Sequence, residues 1–286
     1  MSDVQSDFTV TIHSVYNQFT RAEKKVADYT IAHPREVLFM SITELADAVG
    51  VGETSVFRFC RTVGVNGYQE FKMQMSLSMQ DSEDTGPLTG HVNATDDLTA
   101  MIQKVLSSTQ KALAETAALV DQGVLDRAVD CLTGARQICF FGVGASLIAA
   151  MKANDKFSRI EPKVFCINDA HAQAMRAATM DPRDVAVVFS YSGSTKDTNA
   201  VARLAKQAGA TVIAITRFQK SPLTEFTDLT LLCGANESPM QGGSSSADIC
   251  QAFLTDLLYT EYYRRNYERC SSYNAKTASA VLNKLF

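Results

Sequence analysis

Two different periodicities of apolar residues divide the chain. Between Phe8 and about Gln80, apolar residues recur every three or four positions, which is the period of amphipathic helices. After Gly134 the pattern changes to short continuous apolar runs that alternate with helical patterns, as in strands that are buried on both faces. We therefore predict an all-α N-terminal domain followed by an α/β C-terminal domain.

Five apolar runs in the second part have the length of buried strands. They are Ile138–Phe141, Val164–Ile167, Val185–Phe189, Val212–Ile215 and Leu229–Cys233. Helical patterns between them imply right-handed crossovers, so the runs should form a five-stranded parallel sheet flanked by helices, with ligands outside the carboxyl ends of the strands. A long helix from about Ser246 to Tyr267 and a short helix around Ala275–Leu285 are predicted to follow the sheet.

The stretch from residue 81 to 97 differs in composition from both parts. It is rich in Asp, Gly, Ser and Thr and contains almost no large apolar residue, which is typical of a linker. The predicted organisation is a helical domain over residues 1–80, a linker over 81–97 and an α/β domain over 98–286.

Composition sets limits on the class of protein. With 46% hydrophobic and 20% charged residues the chain is globular in composition, and its seven cysteines form no CxxC pair, which favours a reducing compartment. Neither a signal peptide nor an apolar stretch of about 20 residues is evident, so we expect a cytoplasmic protein without a membrane partner. A net charge of −4 provides no bulk attraction to nucleic acid, so any DNA contact must come from a local patch.

The segment Ser41–Gly64 has the spacing of a helix-turn-helix unit. A first amphipathic helix is followed by a glycine turn and by a second helix over Glu53–Thr62, which would lie in the major groove of DNA. Side chains outside its apolar face, together with one lysine further along the chain, are the candidate DNA contacts: Thr54, Ser55, Phe57, Arg58, Arg61 and Lys72. Phe57 meets either a thymine methyl or the edge of its own domain. A helical hairpin that only packs within the protein is the alternative.

Two polar turns follow predicted strands and open predicted helices. They are FGVGAS, Phe141–Ser146, and SYSGSTKDT, Ser190–Thr198. Backbone N–H groups, hydroxyls and the positive end of a helix dipole at such turns suit a phosphate group. Two such turns at strand-to-helix junctions therefore predict one anion pocket. A plain polar turn is the alternative for either segment alone.

These motifs resemble RpiR-family bacterial transcriptional regulators. In the N-terminal half the resemblance rests on FTRAEKKVADYTIAHP from Phe19, the helix-turn-helix segment and GYQEFK from Gly67. In the C-terminal half, FFGVGAS, FSYSGSTKDT, AKQAGATVIAIT and SPL resemble the sugar-isomerase (SIS) domain of the same regulators. One departure is Gly52, where relatives place a Ser or Thr helix cap, and glycine caps a helix nearly as well as threonine.

The resemblance implies a domain that binds a phosphorylated sugar through the two turns. The phosphate ligands it implies are Ser146, Ser190, Ser192, Gly193, Ser194 and Thr195, with the N–H groups of residues 193–195 as further donors. It also implies possible sugar contacts at Gly144, Ala145, Gln241, Ser244 and Ser245, although the serines could equally cap the helix that follows. Related isomerases place a glutamate where Gln241 stands, and an amide cannot abstract a proton, so we expect binding without catalysis. Glu237 and His171 are the alternative bases.

The sequence leaves two other classes of function open. A dinucleotide-binding oxidoreductase is the first, because Gly142 and Gly144 match two glycines of GxGxxG, but Leu147 occupies the third position. The second is a phosphosugar isomerase with an accessory helical domain. No cofactor or metal is expected, since the four histidines have no ligand spacing. The expected partners are operator DNA, a phosphorylated sugar and further copies of the chain, as a homodimer or homotetramer joined through helices of the C-terminal domain such as Ser246–Tyr267.

Overall fold

The protein, described from a computed structural model, contains two compact units. The structure describes residues 8–80, 92–93, 95–234 and 245–282, without the side chains of Gln80 and Ser245. One unit comprises residues 1–111 and 236–244, and the other comprises 112–235 and 245–286. The division falls inside the helix Leu98–Leu119, whereas the sequence pattern assigned this whole helix to the C-terminal domain, and the domain boundaries stay a prediction.

Six α-helices form the described part of the N-terminal unit before this helix. They are α1 (Phe8–Val15), α2 (Arg21–Ala32), α3 (Pro34–Leu38), α4 (Ile42–Val49), α5 (Glu53–Thr62) and α6 (Tyr68–Gln80). Helix α5 packs its apolar face inward, where the Phe59 ring lies 5.2 Å from that of Phe19 and 5.3 Å from that of Phe71. Interlocked rings at these spacings stabilise a small core beyond the area they bury.

Capping boxes set the starts of two helices around this core. Thr20 and Glu23 exchange side-chain and backbone hydrogen bonds at the start of α2, and Ser41 and Glu44 do the same at α4. Each box satisfies backbone N–H groups that have no partner within the helix. The entry angles of α2 and α4 are thereby fixed, and these two helices support α5.

The remaining elements alternate between helices and strands. They are α7 (Leu98–Leu119), α8 (Gln122–Gly134), β1 (Gln137–Phe141), α9 (Ala145–Ser158), β2 (Val164–Cys166), α10 (Ala170–Ala178), β3 (Asp184–Phe189), α11 (Lys196–Gln207), β4 (Thr211–Thr216), β5 (Leu229–Leu232), α12 (Ser245–Arg265) and α13 (Tyr267–Leu282). The strands form one parallel sheet in the order β2-β1-β3-β4-β5. The predicted fold class, an all-α domain plus a five-stranded parallel α/β domain, is confirmed.

Helices cover both faces of the sheet. Phe140 and Phe189 point to the face that packs against α8, α9 and α12, and the Phe140 ring lies 5.6 Å from that of Phe157. Phe141 and Val188 point to the other face, which packs against α10 and α11. Successive strand residues alternate between these two cores, so the runs are apolar throughout and no alternation is visible in the sequence.

The last helix differs from its prediction. The predicted short helix around Ala275–Leu285 is instead a helix of 16 residues that begins at Tyr267. The Arg269 guanidinium donates to Tyr262 Oη at 2.6 Å and pairs with Glu161 at 3.0 Å, so tertiary contacts hold the first turn in place. The polar run from Ser271 to Asn274 has low helix propensity, and the sequence pattern therefore hid this start. Among the described residues, no helix has the length and apolar character needed to cross a lipid bilayer.

Candidate functional site

A left-handed glycine joins the two helices of the predicted DNA-binding unit. Gly50 has φ +65°, its N–H donates to Asp47 O at 3.2 Å, and the N–H of Val51 donates to Ala46 O at 3.0 Å. This bonding ends α4 in the way typical of a glycine C-cap. Gly52 then provides the N-cap of α5 without a side-chain bond, as the sequence predicted for this departure.

The outer face of α5 carries the predicted DNA contacts. Val56, Phe59 and Cys60 are buried, whereas the candidates on this helix are half-buried or exposed: Thr54, Ser55, Phe57, Arg58 and Arg61. The Arg61 guanidinium donates to Asn66 Oδ1 at 2.6 Å and lies 5.7 Å from the centre of the Phe57 ring. Local contacts therefore hold Arg61 in one orientation, and the exposed ring of Phe57 serves as its platform.

A buried carboxylate behind α5 positions this helix, and the sequence analysis missed it. Glu23 Oε2 accepts from the Thr20 N–H at 2.7 Å, and Glu23 Oε1 accepts from the Thr62 hydroxyl at 3.3 Å. Burial by itself favours a higher pKa, but the bonds from Thr20 and Thr62 and the charge of Arg58 lower the pKa of Glu23 below its ordinary value. The available signal was the capping-box spacing between Thr20 and Glu23.

The prediction that Lys72 contacts DNA is wrong. Helix α6 packs against α3 and buries Lys72, whose Nζ donates to Met40 O at 3.0 Å and lies 5.2 Å from the centre of the Tyr68 ring. Burial lowers the pKa of this ammonium to about 8, against a smaller opposing effect of Glu44. A lysine held inside the core cannot reach a phosphate, so any basic patch on this unit excludes Lys72.

The two predicted phosphate turns follow neighbouring strands. Strands β1 and β3 pair directly, with Phe141 opposite Val188, and the FGVGAS turn follows β1 while the SYSGST turn follows β3. The chain passes from β1 outward to β2 and then returns to β3 on the other side of β1, so the strand order reverses between the two turns. Ligands of open parallel α/β sheets bind in the crevice at such a reversal.

A buried glutamine fixes the first turn. Gln173, on α10, accepts from the Gly142 N–H at 3.3 Å and donates through Nε2 to Gly142 O at 2.9 Å and to Ile167 O at 2.8 Å. A Cβ on Gly142 would lie 2.5 Å from Ser146 O, so the turn requires glycine there. Gly144 and Ala145 are exposed and Ser146 is half-buried in the first turn of α9. Sequence reasoning missed Gln173, because nothing in its Ala-rich segment indicates a contact to a distant turn.

The second turn folds over a glycine in the left-handed region. Gly193 has φ +60°, and its N–H donates to Ser190 O at 3.1 Å. Ser190 is buried, and its Oγ accepts from the Thr198 hydroxyl at 3.2 Å. The Ser194 N–H points back to Ser192 Oγ at 3.3 Å. These bonds make the turn rigid before any ligand arrives.

The internal bonds change which groups face outward. The prediction that the N–H groups of Gly193 and Ser194 are open donors is wrong, because both bond within the turn. Ser192 and Ser194 are half-buried, and Thr195 is exposed at the N-cap of α11 without a side-chain capping bond. The Ser194 hydroxyl also donates within the turn, to Ser192 O at 3.1 Å. The outward-facing donors are therefore the hydroxyls of Ser192 and Thr195 and the first N–H groups of α11, with Ser190 lying beneath them.

The loop after β4 brings a cation to the same edge of the sheet, and the sequence analysis missed it. The Arg217 N–H donates to Tyr191 O at 3.0 Å, so this residue is anchored to the start of the second turn. Its Nε is buried and has no hydrogen-bond partner among the residues that the structure describes. A buried N–H group without a partner is costly and calls for a functional explanation. The available signal was a basic residue directly after an apolar strand.

Most of the remaining sugar-site candidates lie outside the part of the chain that the structure describes. Gln241, Ser244 and the alternative base Glu237 lie outside the described residues, and so does the side chain of Ser245. His171 is exposed in the first turn of α10.

Comparisons with known proteins agree with both halves of this description. Residues 7–82 match the helix-turn-helix domain of the rpiR family, and residues 131–260 match the SIS domain. The chain is 33% identical over 276 residues to an uncharacterized HTH-type transcriptional regulator of Caldanaerobacter subterraneus, which covers 96% of this chain and 97% of that protein. It is 38% identical over 249 residues to the HTH-type transcriptional regulator HexR of Pseudomonas aeruginosa, 87% of this chain and 86% of that one.

A solved structure extends the similarity to three dimensions. The Vibrio vulnificus NanR protein, complexed with ManNAc-6P, aligns with a TM-score of 0.85 at 27% identity and covers 98% of this chain and 100% of its own. The similarity therefore includes both the helical unit and the α/β unit.

Proposed function

Because this chain is a helix-turn-helix transcriptional regulator of the RpiR family, we propose that α5 binds operator DNA and that the SIS domain binds a phosphorylated sugar which changes operator affinity. The observation that carries the proposal is the pair of glycine turns after β1 and β3, at the reversal of strand order. A protein that binds operator DNA works in the cytoplasm, and we propose this location for the chain.

The phosphate is held by neutral donors and one cation. The hydroxyls of Ser146, Ser192 and Thr195 and the open end of α11 donate to the phosphate oxygens, as anions bind at helix N-termini. Arg217 adds the positive charge, and its unpartnered Nε gains an acceptor when the ligand binds. A regulator of similar structure, NanR, is complexed with ManNAc-6P, which supports a phosphorylated sugar as the ligand class.

DNA binding uses the exposed face of α5. Arg58 and Arg61 are the residues for guanine or phosphate contacts, while Thr54 and Ser55 lie near the start of the helix. One recognition helix contacts too few base pairs for genomic specificity, so two copies must bind neighbouring half-sites. We therefore propose a homodimer, or a homotetramer made of two such dimers.

The sugar phosphate is bound and not converted. An isomerase needs a general base close to the sugar carbons. The resemblance places Gln241, an amide, at the position of the glutamate of related isomerases, and His171 is exposed in the first turn of α10. An isomerase with an accessory helical domain is the competing function. Incubation of the pure protein with phosphorylated hexoses, pentoses and amino sugars separates the two: a thermal shift without product supports the regulator, and turnover supports the enzyme.

The function is tested by coupling between the two sites. By linkage, a sugar phosphate that changes operator affinity by some factor has its own affinity changed by the same factor when operator is bound. Calorimetric titration of the sugar phosphate into free protein and into the protein–operator complex measures this factor. Equal sugar affinity in both titrations would refute the coupling.

A further inference from the structure

The first part of α7 presents a continuous apolar stripe to solvent. Its five side chains are between 37% and 68% exposed: Leu98, Met101, Ile102, Val105 and Leu106. Their spacing of i, i+3, i+4, i+7 and i+8 places all five on one face of the helix. Single exposed apolar residues are common, but a stripe over more than two helical turns is typical of a surface that binds another protein.

Among the residues that the structure describes, the stripe has no counterpart in the core of its own unit. The buried side chains of α7 are Ala112 and Thr116, and none of residues 98–111 is buried. Isolated helices of this length are marginal in water, because most helix stability in proteins comes from packing of an apolar face. Within the described ranges, no apolar face packs against this part of α7.

The surface where the sequence predicted self-association is chemically different. Beyond Ser245, the exposed positions of α12 are polar: Asp256, Thr260, Arg264 and Arg265. Two lysines of α9 also form ion pairs with the acids of this helix, Lys152 with Asp248 and Lys156 with Asp256. An exposed apolar face is thus found on α7 and not on α12.

We propose that the stripe binds the same stripe of a second copy of this chain, with the two α7 helices antiparallel about a two-fold axis near Ile102. A two-fold interface brings one patch against itself, so an apolar stripe centred on the axis is self-complementary. The antiparallel direction follows from charge. Asp96 and Asp97 lie at the start of the stripe, whereas Lys104 and Lys111 lie further along the helix.

Orientation decides which of these charges meet. Antiparallel helices bring the acidic start of one copy alongside the lysines of the other, and their helix dipoles oppose each other favourably. Parallel helices would place Asp97 against Asp97 and lysine against lysine. Asp96 already pairs with Lys104 at 2.8 Å within one chain, and Asp97 caps the helix by accepting from the Ala100 N–H at 2.7 Å.

The pairing also fits a regulator that needs two recognition helices, and in this one respect it rests on the proposed function. The five side chains cover less surface area than the ~800 Å² that each partner buries in a standard protein–protein interface. We therefore expect reversible association, with a dimer fraction that rises with protein concentration.

Sedimentation of the full-length protein over a range of concentrations tests the surface. Ile102→Glu places a carboxylate at the axis of both copies and should raise the dimer dissociation constant about a hundredfold or more. The matched control is Val281→Glu, at an apolar residue of α13 that is similarly exposed, and it should leave association unchanged. Circular dichroism confirms that both variants are folded. The same mass distribution for wild type and Ile102→Glu, or a wild type that is monomeric throughout because its own chain covers the stripe, would overturn the proposal.

Cross-linking with a short bismaleimide tests the orientation. In an antiparallel pair, Ile102→Cys should cross-link to itself, and Leu98→Cys should cross-link to Leu106→Cys in a mixture of the two variants. Efficient Leu98→Cys self-linking would contradict the antiparallel arrangement. Val281→Cys controls for the native cysteines and for random collision.

The two proposals fail in different measurements. If the stripe variants remain associated and still respond to sugar phosphate on operator DNA, the α7 interface is wrong and the proposed function stands. If association depends on the stripe but no sugar phosphate changes operator affinity, the α7 interface stands and the proposed function is wrong.

Discussion

Gly193 and Ser221 are in such close contact that no side chain fits at position 193: a Cβ built there would lie 2.2 Å from Ser221 Oγ and 2.6 Å from Ser221 Cβ. The Leu223 N–H donates to Gly193 O at 2.9 Å, so the loop after β4 is bonded to the second turn as well as packed on it. The turn after β3 and the loop after β4 therefore form one rigid edge.

This contact predicts the effect of Gly193→Ala. The added Cβ meets Ser221, and φ +60° is unfavourable for alanine, so the free energy of unfolding should fall by about 2 kcal/mol or more. Urea unfolding measures the loss. Adding Ser221→Gly removes the colliding side chain and should restore part of the stability. A double variant no more stable than Gly193→Ala would show that backbone strain alone explains the loss.

Arg217→Gln should weaken sugar-phosphate binding without weakening the fold. Its Nε has no partner among the described residues, so its removal breaks no hydrogen bond there, and stability should change by less than about 0.5 kcal/mol. Loss of a charged hydrogen bond to phosphate should raise the dissociation constant by about ten- to a hundredfold. Isothermal titration calorimetry measures the dissociation constant of the sugar phosphate for this variant and for a matched control. The control is Arg203→Gln, at an exposed arginine of α11. Unchanged affinity in Arg217→Gln would remove this residue from the site.

Salt dependence separates the two kinds of basic residue on the helical unit. Arg58 is exposed on α5, so Arg58→Gln should weaken operator binding and, if the guanidinium contacts a phosphate, reduce the slope of log affinity against log salt by about 1. Lys72 is buried, so Lys72→Met should leave the slope unchanged. Fluorescence anisotropy with labelled operator at several salt concentrations provides both slopes. A reduced slope in Lys72→Met would show that this lysine does reach DNA.

The buried lysine also predicts a pH dependence of stability. The pKa of Lys72 is about 8 in the folded protein, and an unfolded lysine titrates near about 10.4. Between these values the unfolded state binds more protons, so this group's contribution raises stability as pH increases from 8 to about 10. Lys72→Met lacks the titrating group, so the free energy of unfolding of wild type should rise relative to that of the variant over this window. Urea unfolding at pH 7, 8, 9 and 10 measures the difference, and a constant difference would contradict the burial of a charged ammonium.

The sheet could be predicted from sequence because its signal is local. Parallel strands buried on both faces are continuous apolar runs, and β1, β3 and β4 each contain the predicted run and extend it by one or two residues. The two polar turns were equally visible, since glycines and hydroxyls directly follow these strands. The position of both turns at the reversal of strand order required the order itself, which sequence alone does not provide.

The sequence predictions are wrong or incomplete at residues whose position is set by a contact with a distant part of the chain. Lys72 has the residue type of a DNA ligand, but the packing of α6 on α3 turns it inward. Gln173 and Glu23 contact turns and helices far along the chain. Arg217 directly follows an apolar strand, but only its N–H bond to Tyr191 O places it beside the second turn. Periodicity reports which face of an element is apolar and contains no information about which polar residue that face meets.

The central claim is that the paired turns bind a sugar phosphate that controls operator affinity. The most direct measurement is fluorescence anisotropy of labelled operator, titrated with the wild-type protein and with Ser192→Ala/Thr195→Val, across a panel of phosphorylated sugars. One compound should shift the operator affinity of the wild type about fivefold or more, while the variant should bind operator normally and show no shift. A panel without effect on the wild type, or an undiminished response in the variant, would contradict the account.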